Sequence, residues 1–160
     1  MSRGEALFTS EGRLRQECFS LAALRALRAA CDAAMRTGWP TVRTPHLFIG
    51  LLEEADEAVV RWLDHNQLDG SRLRQNFLEL FDMSQQLQTG PIHLHRAGFS
   101  QHLLEVLQFA YQRAVQRGGL PVTTADLLAA VFLCEPSVVA ECLRRDGYDV
   151  SLLLRHLPTS

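Results

Sequence analysis

The chain has 160 residues, a formal net charge of −2 and a hydrophobic fraction of 47%. That length supports one compact unit that buries a core without metals or disulfides, and the small negative charge argues against a nucleic-acid partner, because phosphate binding requires a positive excess. No apolar run reaches the roughly 18 residues of a membrane-spanning helix, so we predict no membrane partner. The four cysteines show no CxxC spacing, which favours a reducing, cytoplasmic location.

The N-terminal arm, residues 1–18, has no continuous helical stripe, and Gly12 interrupts it. We expect a loose arm or a short appended helix. From residue 19 onward apolar side chains recur at helical spacing, and residues 19–82 are predicted to form four helices. Ser20 is predicted to cap the first of these, and Gly38 to end it.

The second helix is predicted to begin at Thr44, whose hydroxyl is suited to accept a hydrogen bond from the first helical turn. The third helix carries a valine and tryptophan stripe that includes Trp62. The fourth is predicted to be capped by Asp69 or Ser71.

Residues 83–98 form a linker of about 16 residues without a helical stripe, which is long for a compact domain and indicates a mobile or functional segment. Residues 99–157 again predict four helices, and residues 158–160 are left as a tail. The predicted caps in this second half are Ser100, Thr124 and Asp149.

The two halves are copies of each other. Residues 19–77 align without a gap on residues 99–157, and 15 of the 59 positions are identical at an offset of 80. The shared residues are mostly apolar, small, Gly or capping types, which specify a fold. No stretch alternates with period two. We therefore predict an all-α domain of two pseudo-symmetric four-helix repeats.

Several kinds of chemistry are excluded or weakly supported by the residues present. The chain contains no lysine, which excludes a P-loop nucleotide site and Schiff-base chemistry. The only metal-like spacing is His93-x-His95 with His102 nearby, and a structural zinc site requires four ligands. We predict no catalytic residues, no metal, no nucleotide and no other cofactor.

An ordered pair of motifs carries a resemblance to a known family. Each half opens on Phe-Ser, continues in a small-residue helix that ends at glycine, and then has a hydrophobic-x-Thr-x-x-Leu step. The steps are Val42 to Leu47 and Val122 to Leu127. This pattern resembles the N-terminal domain of the Clp/Hsp100 AAA+ unfoldases, the double Clp repeat domain, over about 140 of the 160 residues.

The resemblance implies a non-catalytic module that receives substrates or adaptor proteins for a Clp-type unfoldase. An alternative is a structural accessory subunit of a protease or secretion complex with the same fold. Many family members carry Thr-Glu-His at the step, whereas this chain has Pro45 and Ala125 in place of the two glutamates. In the branch that recognises phosphoarginine those glutamates bind the guanidinium, so we predict no such recognition here. A stand-alone protein and an excised domain both remain open.

The predicted partner site is a groove where the two halves meet, flanked by the linker and the two threonine steps. Trp39 is expected to be an exposed aromatic anchor, and paired arginines are suited to bind a partner's carboxylates. Alternative roles are helix capping for the threonines, a local hydrogen bond for the histidine and ordinary surface charge for the arginines. The predicted contact residues are Trp39, Thr44, His46, Arg72, Arg74, Thr124, Asp126, Arg144 and Arg145.

Overall fold

The computed structural model describes residues 6–85 and 90–159, and within these ranges it is all-helical, without a β-strand. No helix in this part of the chain has both the length and the apolar character needed to cross a bilayer. The eight helices are α1 (Leu21–Arg36), α2 (Thr44–Glu53), α3 (Glu57–His65), α4 (Gly70–Leu80), α5 (Gln101–Arg117), α6 (Thr124–Leu133), α7 (Val138–Arg145) and α8 (Val150–Arg155). The predicted fold class, with four helices in each half, is confirmed.

Four predicted N-caps are found in the structure. The hydroxyl of Ser20 accepts a hydrogen bond from Ala23 N at 3.1 Å, and Ser100 does the same in the second half. Asp69 and Asp149 cap the last helix of each half. Each such cap satisfies a backbone N–H that the first helical turn leaves without a partner.

The prediction that Thr44 and Thr124 are N-caps is wrong by one residue. Both lie inside the first turn, because α2 and α6 begin at them. In the second half the Thr123 hydroxyl accepts from Asp126 N, and Thr123 N donates to the Asp126 carboxylate, which completes a capping box. In the first half the residue before Thr44 is Arg43, whose side chain makes no capping hydrogen bond.

Helices α2 and α6 form the centre of the domain. Every residue of α2 from Thr44 to Leu52 is buried, as is every residue of α6 from Thr124 to Phe132. Gly50 allows α2 to lie directly on α1, because a Cβ atom there would stand 2.2 Å from Ala26 O. A helix that is apolar on all sides must be enclosed by its neighbours, and the amphipathic helices around these two supply that enclosure.

The two halves are joined by a reciprocal exchange of backbone hydrogen bonds. Phe19 of the first half forms an isolated parallel bridge with Val122 of the second, and Phe99 forms the equivalent bridge with Val42. The 80-residue offset maps one bridge onto the other, because Phe19 corresponds to Phe99 and Val42 corresponds to Val122. The four bonds are Ser20 N to Val122 O (2.9 Å), Val122 N to Cys18 O (2.8 Å), Ser100 N to Val42 O (2.9 Å) and Val42 N to Gly98 O (2.8 Å).

The repeat begins earlier than the sequence alignment suggested. Leu14 N donates to Leu94 O at 3.0 Å, and these two leucines are also 80 residues apart. The neighbouring residues Arg13 and His95 form an antiparallel bridge. Two equivalent segments that pair with each other across a twofold axis run antiparallel. The pairing of residues 13–14 with residues 94–95 therefore agrees with a twofold relation between the halves.

Of the two expectations for the N-terminal arm, a loose segment is wrong for its described residues, while Ala6 and Leu7 are helical. Leu7, Phe8 and Leu14 are 1%, 3% and 4% exposed. Phe8 packs edge-on against Phe99 with ring centroids 6.2 Å apart. The second part of the linker is also packed, since Ile92 is buried in the core. Part of the predicted linker, residues 86–89, lies outside the described residues.

An aromatic cluster extends the core across both halves. Phe48 and Trp62 of the first half pack against Phe132 of the second, with centroids 5.9 Å and 5.5 Å from it. The indole N–H of Trp62 donates to Leu153 O at 3.1 Å. The halves therefore share one core, with the aromatic side chains concentrated on the side of the first repeat.

The two step threonines differ in their hydrogen bonding. Thr124 donates to Asp56 Oδ2 at 2.7 Å, and Asp56 Oδ1 also caps α3. The residue equivalent to Asp56 in the second half is Pro136, which offers no carboxylate. Thr44 Oγ1 is buried and has no hydrogen-bond partner among the described residues.

From this difference we predict opposite changes in the free energy of unfolding for two matched variants. Thr124→Val leaves Asp56 without its partner and is expected to lower the free energy of unfolding by about 1–2 kcal/mol. Thr44→Val removes a buried unsatisfied hydroxyl and is expected to raise it by about 1 kcal/mol. Urea unfolding of both variants beside the wild type measures these changes. Equal destabilisation by both would contradict the asymmetry.

Candidate functional site

His46 is part of a buried polar pair that closes the end of α1. Thr37 Oγ1 donates to Ala33 O at 2.7 Å and so accepts from His46 Nε2, which lies 3.0 Å away. Arg43 N donates to His46 Nδ1 at 3.0 Å. This arrangement fixes the neutral imidazole with its proton on Nε2. Burial, with the nearby Arg43 charge, lowers the pKa of His46 to about 4.

The second half replaces this pair by an ion pair at the same positions. Arg117 is equivalent to Thr37 and Asp126 to His46. The guanidinium of Arg117 binds Asp126 Oδ1, while Asp126 Oδ2 accepts from Thr123 N at 2.9 Å. Both members of the pair differ between the halves, so the polar connection is retained with different chemistry.

Four predicted contact residues are therefore enclosed by the fold. Thr44, His46, Thr124 and Asp126 are at most 2% exposed. A side chain so enclosed offers no surface to a partner, so the structure does not support direct contact by these four. Residues of both halves line two open cavities, one beside α3 and one beside α4, and neither of these is lined by a step threonine.

Trp39 is half-buried rather than exposed. Its indole N–H donates to Phe81 O at 2.7 Å, and its ring packs edge-on against His46 with centroids 5.9 Å apart. The guanidinium of Arg43 lies 4.8 Å from the ring centroid on the outer side. These contacts join the ends of α1 and α4, so Trp39 has a structural role that its place in the sequence did not reveal.

The four predicted arginines do not form one cluster of free cations. Arg74 lies 3.9 Å from Glu53, and Arg144 binds Glu141 at 2.8 Å. Arg72 is exposed beside a shallow cavity that it shares with Asp146 and Tyr148. Arg145 is exposed at the end of α7. Their role in partner binding stays a prediction.

An open groove lies instead on the outer face of α5. Its cavity has a volume of about 480 Å³ and is built from the arm, α5 and the loop between α6 and α7. We call it the α5 groove. Its apolar lining consists of Leu7, Phe8, Leu104, Phe109 and Cys134. Its polar lining consists of Arg96, Gln101, Glu105, Gln108, Gln112 and Glu135.

A second groove lies on the equivalent face of α1, with a cavity of about 690 Å³. We call it the α1 groove. It is bounded by Arg28 and Asp32 of α1, by Arg13 of the arm and by Ile92 and His93 of the linker. Sequence reasoning missed both grooves, because each is assembled from segments that are far apart along the chain.

The thiols of the chain are poorly suited to nucleophilic chemistry. Burial and the neighbouring Asp32 raise the pKa of Cys31 to about 11. Burial and the Glu105 charge also raise the pKa of Cys134, which lines the α5 groove. These thiols keep their protons at neutral pH, and a thiol is a weak nucleophile.

The predicted histidine spacing does not assemble a metal site in the described ranges. His95 Nε2 contacts Glu11 O at 2.8 Å, and its Nδ1 accepts from Ala97 N at 2.9 Å. Both ring nitrogens of His95 are thus occupied. Residues 6–85 and 90–159 contain no group of three or more His, Cys, Asp or Glu side chains arranged to hold a metal ion.

The sequence matches the family described as Clp repeat (R) N-terminal domain over residues 18–145. A comparison with curated proteins found no match. The family match begins just before α1 and ends with α7, so it includes the first repeat and three of the four helices of the second.

Solved structures with the same fold include the N-terminal domains of three chaperone-related proteins. The N-terminal domain of the chaperone ClpD from Arabidopsis thaliana aligns with a TM-score of 0.69 at 19% identity, covering 90% of this chain and 94% of that one. The Hsp104 N-terminal domain from Candida albicans gives 0.69 at 13% identity, covering 88% and 89%. A complex of the ClpV N-domain with a VipB peptide gives 0.62 at 15% identity, covering 89% and 91%. At these identities the likeness establishes the fold.

The depressed pKa of His46 predicts a loss of stability in mild acid. The unfolded chain regains the ordinary histidine pKa near 6.5, so between about pH 6.5 and pH 4 protons bind the unfolded state preferentially. The free energy of unfolding should fall across that window by up to about 3 kcal/mol through this group. Urea unfolding at a series of pH values measures the fall, and His46→Gln should make it shallower. An unchanged slope in the variant would contradict this assignment.

Proposed function

The chain belongs to the family of Clp repeat N-terminal domains, and from this premise we propose that it is a non-catalytic protein-binding module. Its partner is a substrate segment or an adaptor protein of a Clp-type AAA+ unfoldase. The observation that carries the proposal is the α5 groove, where half-buried apolar side chains lie beside the side-chain amides of Gln101, Gln108 and Gln112.

The lining of the groove, apolar along its floor and polar along its rim, suits an amphipathic helix. Leu104 and Phe109 lie along α5 and are only half-buried, while Leu7 and Phe8 close the floor from the arm. A helix that lays its apolar face into such a groove buries surface from both partners. The fold also occurs in a complex of the ClpV N-domain with a VipB peptide, which supports peptide binding as a use of this fold.

The proposal assigns the chain no bond-making step. Its thiols have raised pKa values, and His46 and Asp126 are enclosed in structural pairs. Four free cysteines fit a reducing compartment, so we place the protein in the cytoplasm.

Binding in the α5 groove is tested with fluorescein-labelled amphipathic helical peptides of about 14 residues, enough for an apolar face of four turns. Anisotropy is expected to show saturable binding that Phe109→Ala weakens about tenfold, because central apolar anchors carry most of the binding energy. Leu80→Ala removes an apolar side chain that is 60% exposed and outside the groove, and it should leave affinity unchanged.

The proposal fails if no such peptide and no Clp-type ring protein associates with the chain in the tens of micromolar range. It also fails if Phe109→Ala and Leu80→Ala weaken binding equally, since that would locate the contact elsewhere or show it to be non-specific.

A further inference from the structure

The α5 groove carries two carboxylates on its rim. Glu105 stands on α5 with a side chain that is 56% exposed, and its contact with His102 is 3.4 Å long. Glu135 is exposed on the loop between α6 and α7 and forms no hydrogen bond or ion pair with the described part of the chain. Glu105 and Glu135 line the same cavity as Cys134, so the two carboxylates border the same groove.

The rest of the rim leaves this negative charge largely uncompensated. Gln101, Gln108 and Gln112 are neutral. Among the described residues that line the groove, the single cation is Arg96, whose guanidinium lies 5.2 Å from the centroid of the Phe8 ring at the arm. The groove therefore presents an apolar floor with acidic groups at one side.

The negative charge at the α5 groove is not a requirement of the fold, because the equivalent face of α1 does without it. On the equivalent face of α1, Arg25 takes the position of Glu105 and Arg28 the position of Gln108. The α1 groove is lined by two arginines and one aspartate, namely Arg13, Arg28 and Asp32. The same helix face thus carries opposite charge in the two repeats, which makes the grooves unequal as binding surfaces.

We propose, resting on the function proposed above, that the α5 groove selects an amphipathic helical segment whose apolar face is flanked by lysine or arginine. Exposed ion pairs each contribute modestly, so two such pairs give a preference of about three- to tenfold over an acidic counterpart. Because the carboxylates are exposed, added salt screens the preference. The α1 groove has Arg13 paired with Glu11 and Arg28 together with Asp32, so it has no excess of carboxylates and does not take the same segment.

The experiment uses two labelled peptides with one leucine face and either lysine or glutamate flanks. Anisotropy titrations are run at 50 and 500 mM salt against the wild type, Glu105→Gln/Glu135→Gln and Glu79→Gln/Glu141→Gln. The last variant removes two exposed carboxylates outside the groove and matches the net charge of the first. The lysine peptide is expected to bind the wild type three- to tenfold more tightly at low salt. The preference should disappear in Glu105→Gln/Glu135→Gln and persist in Glu79→Gln/Glu141→Gln.

Two results would overturn the charge selectivity while leaving the groove as a binding site. One is equal affinity of the wild type for both peptides at low salt. The other is a preference that survives Glu105→Gln/Glu135→Gln. If neither peptide binds, the proposed function fails and this inference fails with it. Light scattering tests a further occupant, the α1 face of a second copy. If the wild type is a dimer and both Glu105→Gln/Glu135→Gln and Arg25→Gln/Arg28→Gln are monomers, that face occupies the groove and the proposal is overturned.

Discussion

The structure depends on the exchange of backbone hydrogen bonds between the Phe-Ser opening of each repeat and the valine of the other. The pairs Phe19 with Val122 and Phe99 with Val42 satisfy groups that neither repeat satisfies alone, and an unpaired buried backbone group is costly. Because each repeat supplies what the other lacks, the two cannot separate without exposing both. The buried α2 and α6 are enclosed by the same association.

Around this shared connection the two repeats have diverged. The buried pair of Thr37 and His46 is matched by Arg117 and Asp126, where both members have changed. A change of only one member would leave a buried polar group unpaired, which explains why the two positions differ together. On the outer faces of α1 and α5 no such coupling applies, since the side chains there meet solvent. There Arg25 of α1 stands at the position of Glu105 in α5, so the charge is opposite in the two repeats. A partner site can therefore exist in one repeat without an equivalent site in the other.

Local signals in the sequence predicted much of the fold. The 80-residue offset, the helical spacing and the caps at Ser20, Ser100, Asp69 and Asp149 depend on residues close together in the chain. The burial of the arm was missed because Leu14 is held by Leu94, a contact between distant segments that periodicity does not report. Residues 14 and 94 are both leucine at the 80-residue offset. This match is the sequence signal that would have extended the repeat into the arm.

The candidate site was predicted less well, for a related reason. The step residues match a family motif, and that motif marks helix starts that the fold encloses. The α5 groove contains no motif. It arises where Phe8, Phe109 and Cys134 are brought together by tertiary packing, so only the folded chain reveals it.

Native-state hydrogen exchange of the bridge amides tests the central claim most directly. The amides of Ser20, Val42, Ser100 and Val122 donate the four exchanged bonds. If the repeats form one cooperative body, all four should exchange only through global unfolding, with protection free energies equal to the free energy of unfolding from urea titration. Exchange of either pair at a free energy several kcal/mol lower would show that the repeats open separately, and would contradict the account.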